Sequence, residues 1–234
     1  MSEARPWNRP RILIGAAVVV VIIAVVVVGV WHESGDDAPA PARPHAAATP
    51  PNTFQGPKAP TVAPAMMAGN AKAPVLVEEF ADYRCAACGR FSRDTAPALI
   101  KKYVNAGVVR LAWRDLPENG AQSEAAAIAG RAAANQNRFW PFNRAVFALE
   151  PTEHNDRLTA SALRGAAKSA GLDLARYDAD VKNPALRTAV ERDRAFGDAL
   201  GVPGAPAFLI NGAAYNGDLP LATFEKAIGQ ARKG

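Results

Sequence analysis

Residues 75–91 decide the fold and read Val-Leu-Val-Glu-Glu-Phe-Ala-Asp-Tyr-Arg-Cys-Ala-Ala-Cys-Gly-Arg-Phe. The apolar, β-branched start of this stretch, Val75 to Ala81, predicts a buried β-strand. A short polar turn follows, and Cys85 and Cys88 are then spaced to lie at the start of a helix. The chain has only these two cysteines, so any sulfur chemistry must take place here.

The residues after this stretch alternate between strand and helix patterns. Apolar residues at helical spacing predict a helix from Cys85 to Val104, with a kink or break at Pro97. A second strand is expected over Val108 to Trp113. Further helices are predicted over Ser123–Gln136, Phe139–Leu149, Ala160–Ala170 and Pro184–Leu200.

The C-terminal part of the chain reads as a hairpin followed by a helix. Asn211 and Gly212 separate two short apolar runs, which is a strong pattern for a β-hairpin. Leu221 to Arg232 then predicts a closing helix. A strand–helix–strand unit, a helical block and a final hairpin with its helix predict a thioredoxin-like α/β fold with an inserted helical subdomain.

The N-terminal side contains an uncharged apolar run from Ile12 to Trp31. As a helix, about twenty residues span roughly 30 Å, the thickness of the hydrocarbon core of a bilayer. Arginines precede the run and acids follow it, which predicts a transmembrane helix with residues 1–11 in the cytoplasm and the remaining chain outside the cell membrane. The alternative is a cleaved secretory signal, whose apolar region is usually only about 7–15 residues long.

Residues 32–68 are rich in proline and alanine and show no hydrophobic periodicity. Such a segment cannot bury enough surface to order itself, so we expect a disordered, extended linker. The folded domain is then expected to span 69–234, with the helical insertion at about 118–200. Met66 and Met67 fall in the predicted linker and receive no role.

Composition excludes several classes of function. The net charge is +5, and the lysines and arginines are scattered without interleaved aromatic residues, which argues against nucleic-acid binding. No glycine-rich phosphate loop or cluster of metal-ligating residues stands out, so we expect no metal and no cofactor.

Cys85 and Cys88 have the spacing of a redox pair. Backbone N–H groups at a helix start stabilise a thiolate, which is the reactive form of cysteine, and Arg84 can add to the positive field. A C-x-x-C motif beside a strand–helix–strand unit indicates a thioredoxin-like redox motif. Two alternatives stay open, half of a zinc site, which would need further ligands, and an inert disulfide.

Several segments together resemble the DsbA-like thiol–disulfide oxidoreductases. The match begins at residues 69–88, continues through Arg114-Asp115-Leu116-Pro117 and Phe139-Trp140-Pro141-Phe142, and ends with the loop at residues 201–212. It covers essentially residues 69–234 in the family's order, which makes it far more specific than C-x-x-C alone.

The resemblance implies a role for each site residue. Cys85 would be the exposed nucleophile and Cys88 the buried resolving cysteine. Pro206 would be a cis-proline against the disulfide, and the backbone beside it, at Ala205, would pair with an extended substrate segment. Pro203 is the rival candidate for the cis-proline.

Glu79 lies six residues before Cys85, where thioredoxin-like proteins hold a buried acid. A buried carboxyl with a raised pKa could exchange a proton with the Cys88 sulfur. The alternative is that Glu78 or Glu79 is only a surface charge at a strand end.

Two features depart from the family pattern. The residues between the cysteines, Ala86 and Ala87, supply no side-chain hydrogen bond or charge to the thiolate, and Ala205 replaces the more usual threonine or valine. Both leave the redox potential open.

The resemblance implies an oxidase that exchanges disulfides with exported proteins and is recycled by a membrane redox partner. A reductase or isomerase of the cell envelope is the first alternative. The second is a membrane-tethered binding or chaperone module that has no catalytic activity.

Overall fold

A five-stranded mixed sheet lies at the centre of the computed structural model, which describes residues 58–149 and 157–233. The strands are Met67–Ala68 (β1), Val75–Ala81 (β2), Val109–Asp115 (β3), Ala207–Ile210 (β4) and Ala213–Asn216 (β5). Their order in the sheet is β1-β3-β2-β4-β5; β2 and β3 are parallel, and the other pairs are antiparallel. This topology confirms the predicted thioredoxin-like fold.

Strand β2 is the central strand, paired with β3 on one side and β4 on the other. Every residue of β2 except Leu76 is buried. A strand covered on both faces reads as a continuous apolar run instead of an alternating one. The predicted bounds, Val75 to Ala81, are confirmed.

The hairpin between β4 and β5 turns at the predicted Asn-Gly pair. Asn211 and Gly212 have φ values of 46° and 85°. Positive φ at both central residues defines the two-residue turn that matches the twist of a hairpin. The Asn211 side chain also accepts a hydrogen bond from the Leu76 N–H at 2.8 Å, which ties the turn to the central strand.

The helical run after Cys85 alternates between α and π geometry. Helices α1 (Ala86–Arg90) and α2 (Ala96–Leu99) are each followed by a π-helical segment, Phe91–Thr95 and Ile100–Val104. Pro97 lies in the first turn of α2. The break predicted at Pro97 is therefore only a change from π-helical to α-helical geometry next to the proline. The helical run itself continues to Val104.

The remaining helices of the described residues follow in chain order. They are α3 (Ala121–Ala134), α4 (Phe139–Phe147), α5 (Ala160–Ser169), α6 (Leu174–Asp180), α7 (Pro184–Ala199) and α8 (Leu221–Ala231). Helix α6 was not predicted, because its seven residues are too few to show a helical period. Its N-terminus is capped by the Asp173 side chain, which accepts from the Arg176 N–H.

Two large apolar clusters form the core. One contains Cys88 together with Trp113, Phe142 and Phe147, and it includes residues of α3, α4 and α5. The predicted core aromatics Trp113, Phe142 and Phe147 are buried, and Trp140 is half-buried. The second cluster joins Phe91 and other residues of the helical run to β4 and α8. The cysteine pair therefore lies directly on the larger cluster.

The folded chain begins before Gly69. Strand β1 pairs with β3, placing Met67 opposite Ala112, and it follows a 3₁₀ turn at Pro64–Met66. The Met66 side chain is 1% exposed and belongs to the cluster that contains Cys88. The prediction of a disordered linker up to residue 68 is therefore wrong at its C-terminal end. The short strand β1 is ordered by pairing with β3, and its two residues are too few to show a periodic pattern in the sequence.

A buried ion-pair network joins the sheet to the inserted helices. Arg114 on β3 contacts Glu78 on β2 at 2.7 Å and Asp193 on α7 at 3.0 Å. Arg131 on α3 contacts Asp115 at 2.6 Å and also pairs with Asp193. Glu78 is therefore a buried structural partner of Arg114 and not a surface charge. The network fixes where the insert meets the strand end that leads to Cys85.

The predicted cytoplasmic tail 1–11, the transmembrane segment 12–31 and linker residues 32–57 lie outside the described residues. Within 58–149 and 157–233, no helix is both long enough and apolar enough to cross a membrane.

Candidate active site

The two cysteines occupy different environments although only two residues separate them. Cys85 is the N-terminal cap of α1 and is half-buried, whereas the Cys88 side chain inside the helix is 0% exposed. The Cys85 Sγ accepts a hydrogen bond from the Cys88 backbone N–H at 3.2 Å. Both are free thiols in this structure. The Cys85 sulfur is therefore the one that an incoming thiol or disulfide can reach.

The surroundings move the pKa values of the two thiols in opposite directions. The pKa of Cys85 is lowered, chiefly because it receives a hydrogen bond from the Cys88 side chain, and the backbone N–H groups of Cys88 and Ala87 add to this. Burial raises the pKa of Cys88 well above its usual range, and the neighbouring Cys85 raises it further. Cys85 is thus the more acidic thiol of the pair and the one that ionises more readily to the thiolate, which is the nucleophilic form.

The loop before β4 closes over Cys85. The Ala205–Pro206 peptide bond is cis, as the resemblance implies, and it is Pro206 and not Pro203 that carries it. The Cys85 thiol donates a hydrogen bond to the Ala205 carbonyl at 3.3 Å. Pro206 itself is buried, and Ala205 is half-buried. The loop therefore lies directly beside the exposed sulfur.

Glu79 is a buried acid on β2. Its side chain is 3% exposed, and its Oε1 atom has no hydrogen-bond partner within residues 58–149 and 157–233. Burial raises the pKa of Glu79 to about 8, and the nearby Cys85 contributes in the same direction. Its charge is also one cause of the raised pKa of Cys88. The carboxyl is thus neutral at pH 7 and able to donate or accept a proton near the cysteine pair.

The flanking residues act through the backbone. Ala86 and Ala87 provide no polar side chain, and the N–H of Ala87 helps to lower the pKa of Cys85. The Arg84 side chain donates to the Asn119 carbonyl. The contribution of the Arg84 charge to the Cys85 thiolate stays a prediction.

Asp82 and Glu118 belong to the site but were not predicted. The buried Asp82 side chain accepts hydrogen bonds from the Arg84, Glu118 and Asn119 backbone N–H groups at 2.8, 2.9 and 3.0 Å. The Glu118 Oε2 accepts from the Ala205 N–H at 3.0 Å. Asp82 lies in the polar turn that was predicted after β2. No sequence pattern indicates a role for Glu118, because its partner Ala205 is 87 residues away along the chain.

Among residues 58–149 and 157–233, no three His, Cys, Asp or Glu side chains form a group suited to a metal ion. The arrangement is suited to thiol–disulfide exchange, because an accessible thiol of lowered pKa, a buried second thiol and a buried acid lie together.

Comparison with known proteins also indicates thiol–disulfide chemistry. A family model described as thioredoxin matches residues 61–230. A probable disulfide bond formation protein D from Bacillus anthracis is 28% identical over 169 residues, covering 70% of this chain and 77% of that protein.

Solved structures share the fold. BdbD from Bacillus subtilis, in its oxidised form, has a TM-score of 0.68 at 23% identity and covers 72% of this chain and 93% of that one. A thioredoxin-like oxidoreductase from Silicibacter pomeroyi has a TM-score of 0.63 at 27% identity, with 72% and 92% covered. The chain therefore belongs to the thioredoxin family and is a thiol–disulfide oxidoreductase.

Proposed function

We propose that this enzyme donates disulfides to exported proteins through Cys85 and Cys88. The observation that carries the proposal is the contrast between the two thiols, since the accessible Cys85 has a lowered pKa and the buried Cys88 a raised one. An oxidant is favoured when the reduced form of its pair is stabilised. The name of the Bacillus anthracis relative, a probable disulfide bond formation protein, supports this direction.

The exchange proceeds in two displacements that start from the Cys85–Cys88 disulfide. A substrate thiolate attacks the Cys85 sulfur, a mixed disulfide forms, and Cys88 leaves as a thiolate. We assign to Glu79 the proton that Cys88 takes up, because the neutral carboxyl is buried beside the pair. A second substrate thiolate then attacks the substrate's own sulfur, releasing Cys85, so two electrons pass from substrate to enzyme.

The loop at Ala205 and Pro206 holds the substrate in this proposal. The Ala205 backbone pairs with an extended substrate segment, which brings the substrate sulfur towards Cys85. The support is geometric, since the Ala205 carbonyl lies 3.3 Å from the Cys85 Sγ.

The site of action follows from the N-terminal sequence. Residues 12–31 anchor the chain in the cell membrane, residues 1–11 are cytoplasmic, and the thioredoxin domain is extracytoplasmic, where disulfides persist. A membrane redox partner reoxidises the cysteine pair. Protease treatment of intact cells tests the orientation: digestion of the domain supports it, and protection until the membrane is lysed contradicts it.

The direction of exchange is tested by the redox potential of the Cys85–Cys88 couple. The full-length chain is equilibrated with glutathione redox buffers, and the thiol content is read. A potential well above the roughly −180 to −210 mV of an oxidising compartment supports the oxidase. A value near the roughly −270 mV of thioredoxin would instead make the protein a reductase. Such a value is compatible with Ala86 and Ala87, because neither side chain supplies a hydrogen bond or charge that stabilises the thiolate.

Catalysis itself is tested by Cys85→Ser. The variant should lose all exchange activity, because the remaining Cys88 thiol is buried and has a raised pKa. Unchanged activity would contradict a catalytic role for the pair and favour a binding or chaperone module whose cysteines are only structural.

A further inference from the structure

Both polar backbone groups of Ala205 are occupied by the chain itself. The N–H donates to the Glu118 Oε2 at 3.0 Å, and the carbonyl accepts from the Cys85 thiol at 3.3 Å. These are the same groups with which, under the proposed function, an extended substrate segment pairs. A docking substrate must therefore replace two existing hydrogen bonds.

Formation of the Cys85–Cys88 disulfide releases only one of the two groups. A disulfide sulfur carries no hydrogen, so the oxidised enzyme no longer has the thiol that donates to the Ala205 carbonyl. Nothing in this chemistry affects Glu118, whose carboxylate still accepts from the Ala205 N–H. In the form that accepts electrons from a substrate, Glu118 is thus the group that competes for Ala205.

The backbone of Glu118 is fixed, but its side chain lies in solvent. The buried Asp82 carboxylate accepts hydrogen bonds from the Glu118 N–H at 2.9 Å, from the Asn119 N–H at 3.0 Å and from the Asn119 side chain at 2.6 Å. Glu118 itself is exposed. A carboxylate in water on a rigid loop can swing away and return without any movement of the fold.

We propose that Glu118 determines the affinity for substrate by acting as a displaceable internal ligand of the Ala205 N–H. The inference rests on the proposed function, because it requires that substrate pairs with Ala205. A hydrogen bond to an ionised acceptor is stronger than one to a neutral acceptor. A substrate carbonyl must therefore displace a charged competitor, and this lowers the affinity for segments that pair poorly with the loop.

The test measures KM and kcat for oxidation of a synthetic peptide dithiol by the oxidised full-length chain. The variants are Glu118→Gln, which keeps a weaker neutral acceptor, and Glu118→Ala, which removes it. KM should fall in that order and be several-fold lower in Glu118→Ala, with kcat unchanged, because the lost competition affects binding alone.

The matched control is Glu191→Gln. Glu191 is another exposed acid, lines the same cavity of about 510 Å³ as Glu118, and has no hydrogen bond to Ala205 among the described residues. Its KM should equal that of the parent chain. An equal fall in KM for this variant would show a general effect of charge and would overturn the inference.

A second readout separates competition from a merely structural role. The rate at which iodoacetamide alkylates Cys85 in the reduced chain should not change in the Glu118 variants, because a small reagent does not use Ala205. A KM for Glu118→Ala equal to or above that of the parent would overturn the inference while leaving the proposed function intact. A parent chain that oxidises no peptide would overturn both.

Discussion

At the scale of single residues, burial separates two chemically identical thiols. Cys88 is fully buried, which disfavours its thiolate, whereas Cys85 caps the helix and collects hydrogen bonds. Two adjacent acids also differ in their surroundings, since Glu78 pairs with Arg114, whereas the Glu79 Oε1 atom has no hydrogen-bond partner in the part of the chain that the structure describes. Position relative to the core, and not residue type, assigns the chemical roles here.

Cys88→Ala should trap the exchange reaction halfway. Cys85 can still attack a substrate disulfide, but the mixed disulfide cannot be resolved from within the enzyme. We expect a covalent adduct with a disulfide-containing peptide that is visible on a non-reducing gel and disappears on reduction. Cys85→Ser is the control and should form no adduct; an adduct of equal amount in both variants would contradict the assignment of Cys85 as nucleophile.

At the scale of elements, the network around Arg114 joins strands β2 and β3 to helix α7. The Arg114 side chain is 2% exposed and that of Asp193 is 6% exposed, so neither charge is solvated by water. Removing one member of a buried ion pair leaves an uncompensated charge, which typically costs about 3–5 kcal/mol. Ion pairs on the surface contribute far less.

Arg114→Ala should therefore lower the free energy of unfolding by about 3–5 kcal/mol, as measured by urea denaturation. Arg164→Ala is the matched control, because Arg164 pairs with Asp178 at the surface, where the two side chains are 49% and 42% exposed. The control should show no measurable change. Similar losses in both variants would contradict the assignment of the network as the connection between sheet and insert.

The N-terminal edge of the sheet gives a second prediction at this scale. Met66 is buried in the cluster that contains Cys88, whereas Met67 is half-buried on the two-residue strand β1. Met66→Ala should cost about 2–5 kcal/mol in the free energy of unfolding. Met67→Ala is the neighbouring control and should cost clearly less; equal effects would contradict the placement of the domain boundary before Gly69.

At the scale of the whole molecule, two buried acids make the protein sensitive to alkaline conditions. Burial raises the pKa of Glu79 to about 8 and that of Asp115 to about 6. In the unfolded chain both acids ionise near pH 4, so the unfolded state loses these protons first as the pH rises. The contribution of these two acids to stability is therefore greatest in acid and is lost as the pH rises towards 8.

Glu79→Gln should remove most of this loss. A difference of one pKa unit corresponds to about 1.4 kcal/mol, so the variant should gain a few kcal/mol over the parent at about pH 9 and little at about pH 5. Urea denaturation at several pH values measures the slope. Glu191→Gln, at an exposed position, should keep the parental slope, and an unchanged slope in Glu79→Gln would contradict the raised pKa.

The sequence by itself determined the features that are local. β-Branched residues marked strand β2, the Asn211-Gly212 pair marked the hairpin, and the two cysteines at a helix start marked the redox pair. Each of these depends on the conformation of a few consecutive residues, so composition and spacing are sufficient to predict them. The resemblance to a known family added the cis-proline at Pro206, which directly precedes the predicted strand.

Only the tertiary structure decided which distant groups meet. Asp82, Glu118 and Ala205 come from three separate segments, and their hydrogen bonds depend on how the loops pack at the end of the sheet. The pairing of Glu78 with Arg114 likewise depends on neighbouring strands and the inserted helix, and Met66 is buried in a cluster whose other members lie far along the chain. Such contacts result from register and packing over long sequence separations, where no local pattern carries the information.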